Sequence, residues 1–73
     1  MTDPGVFRDA GLLREHLASE LARWRAEGFW SPSQVERFYR HVRLLARLAR
    51  RPRAEVYRDL EADADALEAG EGS

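Results

Sequence analysis

The sequence predicts an all-α fold, a small bundle of three helices. Three observations carry this expectation. Apolar residues recur at three- and four-residue steps instead of alternating. Helix-ending and helix-starting signals divide the 73 residues twice, at Gly28 to Pro32 and at Arg51-Pro52. The longest uninterrupted apolar run is two or three residues, so no membrane span is read anywhere.

The first helix is placed near 9 to 27, because Ala10, Leu13, Leu17, Leu21 and Trp24 fall on one stripe of a 3.6-residue helix. Gly28 suits the left-handed residue that closes such a helix, and the following Phe29 is expected to fold back onto Trp24. Ser31 is a good N-cap, Pro32 fits the first helical position, and Gln34 stands where its side chain can return a hydrogen bond to the cap. Trp30, just before the cap, is expected to staple onto Val35. Phe29 and Trp30 are therefore read as fasteners of a tight interhelical turn and not as a binding surface.

The second helix is expected from 32 to 50, with Val35, Phe38, Val42, Leu45, Ala46 and Ala49 facing the core. Proline disfavours helical geometry in the residue before it, so this helix should stop or kink at Arg50 or Arg51. The third helix is placed near 53 to 68 with Val56, Tyr57, Leu60, Ala64 and Leu67 on its stripe, ending by Gly70. Leu13, Leu17, Leu21, Trp24, Phe38, Val42, Leu45, Val56, Leu60 and Leu67 form the expected core. The chain is read as one domain with flexible ends at 1–7 and 70–73.

Charge is unevenly distributed. The formal net charge is -1 and all twelve basic residues are arginine. Arg37 to Ala54 holds seven arginines and no acid, whereas Glu55 to Ser73 holds seven acids against Arg58 alone. On a helical wheel Arg37, Arg40, Arg43, Arg47, Arg50 and Arg51 form a ridge opposite the core stripe of the second helix, with Leu44 inside it and Leu48 and His41 at its flank. Glu55, Asp59 and Asp63 follow one another at four-residue spacing and repel unless a cation lies nearby. In an antiparallel hairpin turning at Pro52, the cations that come level with them are Arg47, Arg43 and Arg40, respectively. Such pairs are expected within the chain or across a dimer.

Catalytic chemistry finds little support. Two histidines, scattered carboxylates and three candidate serines offer no nucleophile with its base. No metal-binding helical pair is read at either histidine, since Glu15 adjoins His16 on another face and His41 is five residues from Glu36. Three carboxylates in line on a helix coordinate a divalent ion poorly. No enzyme, cofactor or metal site is expected. Cysteine is absent, which excludes disulfides and suits a cytoplasmic setting.

The expected function is that of a small protein-interaction or regulatory module. Its partner-binding residues are Arg37, Arg40, Arg43, Leu44, Arg47, Leu48 and Arg50. A homodimer is expected, because a core this small needs support, seven of 73 residues are aromatic, and Leu44 and Leu48 form an apolar pair off the core stripe; an acidic protein surface is the other partner expected. The rival expectation is nucleic acid. An arginine-striped helix after a glycine-containing turn resembles the second helix of a helix-turn-helix motif, although Trp24 stands where that motif wants a small residue.

Overall fold

The computed structural model describes residues 9–71. They form three α-helices, α1 (Ala10–Glu27), α2 (Pro32–Ala49) and α3 (Arg53–Glu71), and no strand occurs among the described residues. The all-α three-helix bundle expected from the sequence is the fold observed.

The local signals act as their chemistry requires. The Asp9 carboxylate caps α1 by accepting from the Leu12 amide. Gly28 closes the helix at φ 76°, and its amide donates to the Trp24 carbonyl. Ser31 and Gln34 form a reciprocal capping box: the Ser31 hydroxyl accepts from the Gln34 amide at 3.3 Å, and the Gln34 side chain accepts from the Ser31 amide at 2.9 Å. α2 ends at Arg50, the one residue other than glycine with positive φ (56°) among the described residues. The break before Pro52 is thus a true turn between two helices and not a kink. The Pro52 carbonyl accepts from Glu55 and Val56 and so starts α3.

Leu13, Leu17, Leu21, Phe38, Val42, Leu45, Val56 and Leu60 are buried as expected, together with Ala18, Trp30, Ala46 and Ala64. Four expectations about aromatic and apolar residues need correction, one being that Ala49, expected on the core face of α2, is exposed. Trp24 is only half-buried. Its partner is Trp30, stacked at 4.6 Å between ring centroids and 5° between planes, and not Phe29, which is 72% exposed. Only one of two adjacent aromatics can follow the turn inward, and Trp30 is the one that reaches Phe38, at 5.5 Å. Leu67 is 41% exposed. It lies one turn past Ala64, the last buried residue of α3, where α1 offers Glu15, Ala18 and Ser19 in place of a large apolar side chain.

The end of the third helix is also corrected. Gly70 does not end α3, which continues through it to Glu71; helical geometry is open to glycine at a cost of about 1 kcal/mol relative to alanine. Residues 1–7 and 72–73 of the expected flexible ends lie outside the described residues.

Candidate functional site

The acids of α3 lie on two flanks of its apolar stripe Val56, Leu60 and Ala64. Glu55, Asp59 and Asp63 are on one flank, and Glu61, Asp65 and Glu68 on the other. Arg14 takes the first flank with a two-pronged pair to Asp63, Nε to Oδ2 at 2.6 Å and Nη2 to Oδ1 at 3.1 Å, and a longer approach to Asp59 at 4.0 Å. Arg25 takes the second, with Asp65 at 2.5 Å and Glu61 and Glu68 at 3.9 Å. One cation near each end of α1 therefore holds each flank of α3. Arg51, at the α2–α3 corner, donates to Glu55 at 3.2 Å and to Asp59.

The pairing expected of a hairpin, Arg47 with Glu55, Arg43 with Asp59 and Arg40 with Asp63, does not form within the chain. The stripe of α3 must face the buried sides of both other helices. That orientation turns Asp59 and Asp63 toward Arg14 and away from the outer face of α2.

The expected interaction residues consequently share an uncovered face. Arg37, Arg40, Arg43, Arg47 and Arg50 are all exposed. Arg40 pairs with Glu36 one turn earlier at 3.6 Å, both side chains being at least 70% exposed, which contributes little to stability. Arg37, Arg43, Arg47 and Arg50 have no carboxylate partner among the described residues. Arg40, His41, Arg43, Leu44 and Arg47 line an open groove. Leu44 is half-buried and packs against the core from its outer side, while Leu48 is 37% exposed. Arg51, grouped with the ridge by the helical wheel, is instead drawn into the α3 contacts.

Sequence reading missed five contributors. Arg53, at the start of α3, shares a second depression with Arg43, Tyr39 and Tyr57 and extends the basic surface beyond α2; the run of arginines on both sides of Pro52 was the available signal. Arg14 and Arg25 were missed as the cations that the acidic spacing demanded, and no local pattern singles them out. His16 and Glu20, four residues apart, also escaped notice and pair at 2.9 Å. Among the described residues no three His, Asp or Glu side chains converge to hold a metal, and no helix is long and apolar enough to cross a membrane.

Two of the displaced ionisations, those of Asp63 and His41, bear on stability below neutral pH. Hydrogen bonding from Arg14 holds the Asp63 carboxyl below its ordinary 3.8, against a smaller opposing effect of burial. Burial pushes the His41 imidazole below 6.5, with Glu20 opposing and His16, Arg37 and Arg40 adding to the fall. A depressed carboxyl contributes stability above its unfolded value and loses it as pH falls through the folded value. A depressed histidine resists a proton that the unfolded chain accepts, so it also disfavours the fold as pH falls below 6.5. Stability is expected to decline in two steps on acidification, the first below 6.5 and the second below 3.8. Asp63→Asn should cost about 0.5 to 1 kcal/mol at neutral pH and shrink the second step only. Urea titrations across pH check this; an unchanged low-pH step would contradict it.

The fold and the face together define a class: an all-α three-helix bundle whose second helix turns an arginine surface outward. Comparison with protein-family models, with curated proteins and with solved structures returned no match to this chain.

Proposed function

We propose that this chain is a small non-enzymatic interaction module of the cytoplasm, regulatory in use, that binds an acidic and partly apolar protein surface through Arg37, Arg40, Arg43, Arg47 and Arg50 with Leu44 and Leu48. One observation carries the reading. The acids of α3 are engaged by Arg14, Arg25 and Arg51, so Arg37, Arg43, Arg47 and Arg50 on the outer face of α2 keep no carboxylate partner among the described residues. Folding needs only the opposite face of α2. A second face of planar, bidentate donors around a leucine suits a carboxylate-bearing partner.

Nucleic acid fits this surface less well. Leu44 lies in the middle of the face, Glu36 belongs to it, and the turn before α2 is filled by stacked Trp24 and Trp30. Self-association is part of the proposal, supported by exposed Leu12 and Leu67 on so small a bundle. Two arginine faces repel each other, so the self-contact belongs elsewhere on the surface.

Titration with labelled polyglutamate, duplex DNA and single-stranded DNA and RNA, at low and moderate salt, tests the reading. Polyglutamate is expected to bind and to lose about tenfold in affinity in an Arg43→Ala, Arg47→Ala variant, since exposed pairs contribute up to about 1 kcal/mol each. Nucleic-acid binding that falls steeply with salt and vanishes in the variant would transfer the face to phosphates. Sedimentation equilibrium on the same proteins reads the dimer: one that persists in the variant supports a self-contact off the arginine face, and a monomer at every concentration removes self-association.

A further inference from the structure

We infer that the partner to which this face is fitted is an acidic amphipathic helix laid along α2, rather than an extended acidic segment. The inference rests on the proposed function and specifies the occupant. His41, Leu44 and Leu48 follow one another at steps of three and four, the spacing of a seam that pairs with another helix. Their burial suits that use. Leu44 is anchored on the core yet still partly open, and Leu48 is 37% exposed.

Arg40 and Arg47 stand seven residues apart, each immediately before a seam residue. In paired helices those positions flank the seam and meet the partner's charges. Arg43 and Arg50 repeat the interval one row further out. At 1.5 Å rise per residue the two arginines of each row are about 10 Å apart along the axis, the distance between carboxylates on successive heptads of an opposing helix. The groove around Leu44 is walled by Arg40, Arg43 and Arg47, so one apolar side chain can enter it between flanking acids. An extended chain alternates its side chains between two faces. It therefore cannot set a continuous apolar stripe and an acidic margin beside it against the same surface.

Charge selects among occupants. A second copy of this chain would bring its α2 arginines against these arginines. Its α3 acids are held by Arg14, Arg25 and Arg51. An acidic helix of another protein meets neither obstacle.

The test uses a synthetic three-heptad peptide with leucine on its seam and glutamate on both margins, a scrambled peptide of the same composition, unordered polyglutamate, and a version with lysine margins. Binding is followed by anisotropy and by far-UV circular dichroism. The glutamate heptad peptide is expected to bind at least about tenfold more tightly than the scrambled peptide or polyglutamate, and to gain helix on binding. Arg40→Glu, Arg47→Glu should abolish this binding and accept the lysine peptide instead. Leu44→Ser should weaken the heptad peptide without affecting polyglutamate. Scrambled peptide or polyglutamate binding as tightly as the heptad peptide would overturn the helical partner while leaving the acid-binding reading intact. If none of the acidic probes binds, both fall. Duplex DNA binding more tightly than the heptad peptide would assign the face to nucleic acid.

Discussion

Phe38→Ala is expected to leave most of the chain unfolded. Phe38 is 1% exposed and sits where the interhelical turn meets the bundle, with its ring edge-on to Trp24 at 6.0 Å and to Trp30 at 5.5 Å. Removing a buried phenylalanine costs about 3 to 5 kcal/mol, because the transfer energy of the ring is lost and the cavity relaxes only partly. A core in a chain this short supplies roughly 3 to 5 kcal/mol in total. The two figures are of the same size, so the variant should melt broadly or lack a cooperative transition in far-UV circular dichroism. A cooperative melt within about 1 kcal/mol of the parent protein would show that Phe38 is not central to the core.

The adjacent aromatics of the turn should behave oppositely. Trp30 is 8% exposed, stacks on Trp24 and meets Phe38 edge-on, so Trp30→Ala should cost about 3 kcal/mol or more. Phe29 is 72% exposed, and Phe29→Ala should change stability by less than about 0.5 kcal/mol. Urea unfolding of the two variants side by side reads the contrast. Similar losses in both would contradict the observed packing and restore the sequence expectation that Phe29 folds back onto Trp24.

That contrast shows where sequence reading reaches its limit. Gly28, Ser31, Pro32 and Gln34 announced the turn correctly because caps are made by groups within four residues of one another, and their geometry follows from the residue types. Which of Phe29 and Trp30 would enter the core depended on the direction the chain takes after Gly28 relative to Phe38, nine and eight residues beyond them. The ridge was legible for the same reason as the caps: the spacing of Arg40, Arg43 and Arg47 on a helix puts them together whatever the helix packs against. Whether they would be neutralised was not legible. Glu55, Asp59 and Asp63 could face α2 or α1, and either choice satisfied the four-residue repulsion.

By itself, then, the sequence determined the three helices, the caps of the α1–α2 turn, most of the core stripe and the arginine face of α2, since each depends on interactions within about one or two helical turns. The tertiary structure alone decided that Arg14 and Arg25 hold the acids of α3, that Leu67 remains open while Ala64 is buried, and that the arginines of α2 are left without those acids. The physical reason is packing. Burying Val56, Leu60 and Ala64 against both other helices sets the rotation of α3 about its axis, and exposed ion pairs, worth about 0 to 1 kcal/mol each, follow that rotation instead of choosing it.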